Sequence, residues 1–342
     1  MGSLRKKGTY IAIYVDDLLI VVANKKAISA LKSALHSRFQ MTDLGPCHYY
    51  LGIRITRDRK NRRIYLDQKA YIQRIVERFM GKDCGKADTP MATSTRLIAP
   101  PEDYECPAAV RQWYQSAVGS LLFLMLGTRG DLGYPMTAVS RYLHNPTREN
   151  ETAVKRVFGY LNRSDELCVL FSGALQQPTG YTDADWAGDL DARRSTSGYI
   201  FNIGSGAISW SSKRQPTVAL PSYEAEYMGQ TQAAKEAIWL QRLFEELGGL
   251  GNTEPKAVVI YSDNQGAIAL AKNPANHRRT KHIDIQQHFV REKVAEGKIA
   301  MQFVPTGEMV ADGLTKPLAK DAFLRFRAAL GLVKEPQGRT DL

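Results

Sequence analysis

Four acidic residues hold most of the chemistry this sequence offers: Asp183, Glu226, Asp263 and Asp312. Asp183 lies in Thr179-Gly180-Tyr181-Thr182-Asp183-Ala184-Asp185-Trp186-Ala187-Gly188-Asp189, a short strand released into a Gly- and Asp-rich turn. Each of the other three falls where a strand meets a helix or a helix meets a core. A single Asp at a strand end is common and proves little. Four carboxylates converging on one point repel one another and raise each other's pKa unless cations neutralise them. Hard oxygen donors select Mg²⁺ or Mn²⁺. Two such ions, about 3.5–4 Å apart, activate a water and stabilise a leaving oxygen in phosphodiester hydrolysis. Residue geometry leaves Asp183 and Asp185 as alternatives, because i and i+2 share a strand face. Glu224 and Glu226 lie about 200° apart around a helix, so one of them at most faces the site.

A second acidic feature is Asp16-Asp17, set between the apolar, β-rich runs Tyr10–Val15 and Leu18–Val22. The pattern reads as a hairpin with the two acids at its tip. Charges between core-facing strands are costly unless metal or solvent meets them. A third feature is basic. Six of the ten residues from Arg54 to Arg63 are Lys or Arg, with Asp58-Arg59-Lys60-Asn61 as a turn. Such a hairpin either waves in solvent or touches phosphate through Arg59, Lys60, Arg62 and Arg63.

The elements that must place these residues follow from periodicity. Helical spacing runs over 25–39 through Ile28, Leu31, Leu35 and Phe39, and over 68–80 with Tyr71, Ile72, Ile75, Val76 and Phe79 inward. Residues 81–110, with four prolines, read as an irregular connector. Helices at about 111–127, 131–144 and 147–162 come next, then a strand at 168–171. Gln176-Gln177-Pro178-Thr179 marks the clearest domain boundary. Beyond it the order is strand 181–186, a Gly-turned hairpin of 198–203 and 207–211, helix 222–247, strand 257–261, helix 265–271, a helix to about 296, strand 298–304 and a short helix 309–314. That order describes a mixed five-stranded sheet with helices on its faces, in which Asp183 and Asp263 meet at the carboxyl ends of adjacent strands. Trp186, Trp210 and Trp239 are expected in the core. His277, His282 and His288 lack cysteine partners and a zinc-like spacing.

Charge separates the two halves. Of the net charge of +11, ten units come from residues 1–175, which hold 26 Lys+Arg against 16 Asp+Glu, whereas residues 176–320 hold 16 of each and residues 321–342 hold 4 against 3. A basic half beside a neutral, carboxylate-bearing half suggests that one grips a polyanion and the other acts on it. The four cysteines are scattered without a CxxC pair and the first residues lack a signal-peptide pattern, so a reduced intracellular setting is expected, cytoplasmic or nuclear. The longest apolar run, Ala117–Leu126, is too short to span a bilayer, and no membrane partner is expected.

In combination, several motifs resemble the C-terminal part of the Pol polyprotein of copia-type long-terminal-repeat retrotransposons, from about residue 8 to residue 330. They are Tyr14-Val15-Asp16-Asp17, Asp43-Leu44-Gly45-Pro46, Tyr50-Leu51-Gly52-Ile53, Tyr114-Gln115-Ser116-Ala117-Val118-Gly119-Ser120-Leu121 and Ala138-Val139-Ser140-Arg141-Tyr142. Tyr181-Thr182-Asp183-Ala184-Asp185-Trp186-Ala187-Gly188, Glu224-Ala225-Glu226-Tyr227, Asp263-Asn264-Gln265, Arg279-Thr280-Lys281-His282-Ile283-Asp284 and Ala311-Asp312-Gly313-Leu314-Thr315-Lys316 complete the set.

The resemblance implies an α+β chain in four parts. Residues 1–95 would be a truncated polymerase palm with thumb, 96–175 a helical connection, 176–320 a ribonuclease H-like domain and 321–342 a C-terminal helix and tail. It implies Mg²⁺- or Mn²⁺-dependent, two-ion, endonucleolytic cleavage of the RNA strand of RNA–DNA hybrids. Asp183, Glu226, Asp263 and Asp312 would be the ligands and Asp16 and Asp17 a vestigial polymerase metal site. Arg59, Lys60, Arg62, Arg63, Arg278, Arg279, Lys281 and His282 would meet nucleic acid. The family's further palm aspartate and fingers precede the Tyr-x-Asp-Asp motif, so no polymerase activity is expected of this chain alone. A missing upstream polymerase part, or a second copy, is the expected partner; a non-cutting, nucleic-acid-binding remnant is the alternative. Where the family often has a mobile His, the loop Pro305-Thr306-Gly307-Glu308 offers Glu308.

Overall fold

The computed structural model describes residues 8–22, 24–173, 176–219, 222–248, 257–272 and 281–335, the side chains of Asp83 and of residues 281–287 excepted. Three sheets organise them. The first is an antiparallel hairpin of β1 (Thr9–Tyr14) and β2 (Asp17–Val22), followed by α1 (Lys25–His36). Tyr14 pairs with Asp17, so the tip is Val15-Asp16 and Asp17 already belongs to β2, one residue off the expected Asp16-Asp17 tip. Val15 takes the left-handed conformation (φ 51°), which β-branched residues rarely adopt. No residue of this hairpin is fully buried.

The second sheet is antiparallel and gathers strands far apart in the chain. β3 (Tyr49–Tyr50), β4 (Ile53–Asp58) and β5 (Arg63–Asp67) form a meander, and α2 (Lys69–Met80) follows. Then come α3 (Ala108–Gly127), α4 (Gly133–Val139), α5 (Arg148–Arg163) and β6 (Leu167–Phe171), which pairs with β5. The helix expected over 131–144 is shorter, its ends tightened into 3₁₀ turns at Gly130–Leu132 and Ser140–Tyr142. Thr147 caps α5 in a reciprocal pair with Asn150, a device typically contributing about 1 kcal/mol.

The third sheet has the composition the sequence suggests. It contains β7 (Thr179–Asp185), β8 (Thr196–Ile203) and β9 (Gly206–Arg214), then α6 (Ser222–Glu246), β10 (Val258–Ser262), α7 (Gln265–Lys272), α8 (Lys281–Ala295) and β11 (Ile299–Phe303). Its strand order is β11-β10-β7-β8-β9. β10 runs parallel to both β11 and β7, whereas β8 and β9 are antiparallel to their neighbours. One face packs on α6, α7 and α8 through Phe201, Tyr227, Ala234, Val258, Ile260 and Met301. The other face, through Ile200, Ala207 and Leu314, joins the large core built on α2 to α5. Leu121, Leu124, Val157 and Phe158 sit in that core fully buried, each worth about 1.5–3 kcal/mol of apolar burial.

After β11 come α9 (Lys320–Ala329) and β12 (Leu332–Lys334). β12 pairs with β6, so it closes the second sheet, not the third. The second sheet and the helices beside it are further tied to the third by Trp210 Nε1, which donates to the Met125 carbonyl (3.1 Å), and Thr137 Oγ1, which donates to the Ser212 carbonyl (2.7 Å). Trp210 is thus half-buried at a seam. Trp186 and Trp239 depart from the expected core position, being 53% and 54% exposed. Trp186 leaves the sheet with the turn after β7, its Nε1 donating to the Ala219 carbonyl (3.2 Å); Trp239 lies on the outward side of α6.

Candidate metal centre

β7 is the central strand of the mixed sheet, and Asp183 near its end faces Gly198 across the β7–β8 ladder. A Cβ at Gly198 would stand 2.7 Å from the Leu314 Cβ and 2.9 Å from the Thr315 Cγ2. Only glycine lets the 3₁₀ turn Val310–Leu314 come so near the strand. The approach brings the Thr315 hydroxyl into a hydrogen bond with Asp183 Oδ2. Asp263 directly follows β10, the parallel neighbour, and Asn264 beside it caps α7 through Ala267 N (2.9 Å). Glu226 enters from the second turn of α6.

Oxygens of Asp183, Glu226 and Asp263 lie within 4.8 Å of one another, so three elements deliver three carboxylates to one point. Asp185 stays out of this group; its carboxylate turns back over Gly188, where any Cβ would collide with it. Glu226 is in the group and Glu224 is not. Asp312 also lies outside the 4.8 Å group, on the 3₁₀ turn, ion-paired with Lys316 Nζ at 2.9 Å. Its charge nonetheless reaches Asp183.

The electrostatics are those of an uncompensated acidic site. Burial, with the charge of Asp312, pushes the Asp183 carboxyl up to about 7, against the opposing bond from Thr315. Burial, then Asp183 and Asp263, pushes Glu226 up to about 9. Asp185 is also raised, chiefly by burial. Burial works against the charge on Lys316, but its contact with Asp312 and the charges of Asp312, Asp183 and Asp185 outweigh it and hold its pKa above the ordinary value. Glu226 Oε2 is buried with no hydrogen-bond partner among the described residues. A buried, unpartnered carboxylate oxygen among like charges is costly, and a hard divalent cation relieves the cost. The donor set fits Mg²⁺ or Mn²⁺.

Three supporting residues escaped the sequence reading. Thr315 orients Asp183, Lys316 holds Asp312, and Thr306 Oγ1 donates to Asp263 Oδ2 (2.8 Å). Thr315 and Lys316 stand in the motif that carries Asp312, and their spacing of three and four from it was the available signal. Thr306 belongs to the 3₁₀ turn with exposed Glu308.

The turn after β7 is fastened to the helical part. Asp189, 2% exposed, takes Arg141 at 2.6 Å and Arg214 at 2.8 Å, which hold its carboxyl below the ordinary range despite burial. Asp191 accepts from the Tyr142 hydroxyl (2.9 Å) and from Ala99 N (2.8 Å).

Asp16 and Asp17 are exposed and belong to another sheet. The hairpin that bears them touches the far end of α6 through Tyr10, whose hydroxyl donates to the Leu247 carbonyl (2.6 Å). That contact is about 30 Å along the helix from Glu226. Arg59, Lys60, Arg62 and Arg63 are exposed around the β4–β5 turn. Arg278 and Arg279 lie outside the described residues; Lys281 and His282 open α8, with side chains outside the described set. Among the described residues no helix is long and apolar enough to cross a membrane, and Cys47, Cys84, Cys106 and Cys168 are all free.

Residues 3–93 match the family model described as reverse transcriptase (RNA-dependent DNA polymerase). The chain is 42% identical, over 94% of its length, to the "Retrovirus-related Pol polyprotein from transposon TNT 1-94" of Nicotiana tabacum, and spans 24% of that relative. It thus spans about a quarter of the length of this curated relative. It is 31% identical to the "Putative transposon Ty5-1 protein YCL074W" of Saccharomyces cerevisiae, covering 66% of this chain and 73% of that protein. Among solved structures, the ribonuclease H "LC11-RNase H1 Isolated from Compost" is 15% identical, covers 41% of this chain and 92% of its own, and gives a TM-score of 0.32. So slight a likeness adds nothing to the strand order and directions above.

Proposed function

The chain belongs to the Pol polyproteins of copia-type retrotransposons, and on that premise we propose that residues 176–320 cut the RNA strand of RNA–DNA hybrids in a Mg²⁺- or Mn²⁺-dependent, endonucleolytic hydrolysis. The observation that supports this best is the convergence of Asp183, Glu226 and Asp263 within 4.8 Å around a buried, unpartnered Glu226 oxygen. These three residues would hold two divalent ions, with Asp312 supplying the fourth carboxylate from the facing turn. Bound there, the ions supply charge neutralisation, an activated water and stabilisation of the leaving oxygen. Thr315 and Thr306 fix the carboxylates of Asp183 and Asp263 by donating to one oxygen of each, leaving the other oxygen for a ligand. Lys316 restrains Asp312 and offsets part of the local negative charge. Glu308, exposed on the turn beside Thr306, would help product leave.

Residues 1–175 would provide the grip. Arg59, Lys60, Arg62 and Arg63 would meet phosphates, as would Arg278, Arg279, Lys281 and His282. An upstream polymerase part of the polyprotein, or a second copy, would cover the β1–β2 hairpin, whose Ile13, Tyr14, Val15 and Val21 are more than half exposed. Asp16 and Asp17 would contribute to a polymerase site only in that company.

The test is cleavage of an end-labelled RNA–DNA hybrid by the purified chain, with Mg²⁺ and with chelator. Internal RNA cuts that vanish on chelation, with double-stranded DNA left whole, are expected. Tight binding of the hybrid without any cut in Mg²⁺ or Mn²⁺ would leave a nucleic-acid-binding module instead.

A further inference from the structure

Away from the carboxylates, an open cleft of about 360 Å³ lies between the second and third sheets. Arg57, Arg59, Arg62 and Arg63 line it with the single carboxylate of Asp58, an excess of three positive charges by four less one. Asp58 is engaged in shaping the loop: Asn61 donates to it from its backbone N (3.1 Å) and from Nδ2 (2.7 Å). Arg62 sits in the left-handed region at φ 54°, a conformation that an ordinary side chain adopts at a cost and that here aims the loop. The remaining walls are largely apolar, with Ser172 and Gly173 just past β6 among them. Ile64 and Phe171 face each other across the β5–β6 ladder, and Ile203 and Gly204 at the β8–β9 turn complete the far side. Ile64 is 38% exposed although it is a large aliphatic residue on a paired strand.

Guanidinium groups ask for phosphate, and apolar and aromatic walls ask for a flat hydrophobic body. The volume lies at the low end of the range for small-ligand pockets, about 300–1,000 Å³, and is far too small for a duplex. We propose that the cleft holds one unpaired nucleotide of a bound strand, its phosphate among Arg57, Arg59, Arg62 and Arg63 and its base against Ile64 and Phe171. Only an unpaired base frees a face for such contact. The placement is apt. Ile203 lies five residues along β8 from Gly198, the ladder partner of Asp183. That is about 17 Å of strand, or about five base-pair steps of duplex. A hybrid bound at the carboxylates would thus present its frayed or single-stranded end to the cleft, which would set the distance between end and cut. The inference rests on the nucleic-acid reading above, but not on cleavage.

The test is fluorescence anisotropy with the full chain in chelator, so that nothing is cut. A blunt fluorescein-labelled hybrid is compared with hybrids carrying a five-nucleotide single-stranded extension at each possible end. One of the extended hybrids should bind roughly tenfold more tightly than the blunt one, the order expected of a single stacked base. Arg57→Ala and Ile64→Glu should each bring that ratio towards one, and Arg62→Ala should lower the salt slope by about one. Melting curves check folding, and if Ile64→Glu unfolds the chain, the exposed Arg57 still carries the test. A ratio near one for every extension in the wild type, or a ratio unmoved by a folded variant, overturns the proposal. A wild type that shows the ratio but never cuts in Mg²⁺ overturns the nuclease reading and leaves the cleft standing.

Discussion

Two acidic places in this chain use the same residue type in opposite surroundings. Asp16 and Asp17 stand on a solvent-washed hairpin with no buried residue, whereas Asp183, Glu226 and Asp263 are drawn from a strand, a helix and a second strand to within 4.8 Å. Water solvates the first pair at little cost. The second group lies beneath the Val310–Leu314 turn and α6, and burial drives the carboxyls of Asp183 and Glu226 up. Adjacent acids in a sequence are therefore a weaker sign of a working metal centre than separated acids that the topology brings together. Convergence and burial create the need for a cation.

The largest expected effect breaks the comparison directly. Asp183→Asn or Asp263→Asn should lower hybrid cleavage by about a thousandfold or more, since several kcal/mol of transition-state stabilisation passes through that site. The double variant Asp16→Asn/Asp17→Asn should cleave within about twofold of the wild type. Equal losses in a quantitative cleavage assay would erase the distinction drawn here.

Next comes the response to metal and pH. A carboxyl whose folded pKa is raised stabilises the fold below its unfolded value, near 4, and that contribution is lost as pH climbs through the folded value, about 7 for Asp183 and about 9 for Glu226. The metal-free chain should thus lose stability as pH climbs from about 4, through about 7 for Asp183 and on to about 9 for Glu226, and Mg²⁺ should restore more at pH 8.5 than at pH 5.5. At a hundred times its dissociation constant the ion would add about 2.7 kcal/mol. Differential scanning calorimetry reads this, and an equal Mg²⁺ shift in Asp183→Asn would place the ion elsewhere.

Asp189 sharpens the contrast because its sign is reversed. Its depressed pKa gives stability that is present above the ordinary carboxylate range and lost on acidification through the folded value. Arg141→Ala leaves Arg214 as the cation still paired with Asp189, so a loss of about 1–3 kcal/mol at pH 7 is expected, and the loss should shrink below pH 4. Urea titration at the two pH values measures it. The smallest effect belongs to the hairpin tip, where Asp16→Asn/Asp17→Asn should change the melting free energy by no more than about 0.5 kcal/mol.

Much of the mixed sheet was legible because its signals are local. Alternating apolar strands, the Gly204-Ser205-Gly206 turn and the long period-3.6 stretch from Ser222 each declare themselves within a short window. The acids were legible as types at element ends. Choosing Asp183 over Asp185, and Glu226 over Glu224, needed the family pattern, because those choices depend on how a strand end twists and on which face a helix buries. Thr315 and Thr306 were missed because a hydroxyl has no sequence signature until its partner is placed. The Asp189 clamp was missed because Arg141 lies 48 positions away. β12 was missed for a different reason: three residues carry no period, and only the waiting edge of β6 makes Leu332–Lys334 a strand.

That last strand has a consequence for how the molecule comes into being. β6 is synthesised around residue 170, but the strand that covers its free edge emerges only after the whole mixed sheet has left the ribosome. Until then the nascent chain carries an open edge able to pair with a neighbour on the same message. The mixed sheet must therefore mature inside an unfinished host, and truncation after about residue 320 would halt assembly at the stage most prone to misassociation.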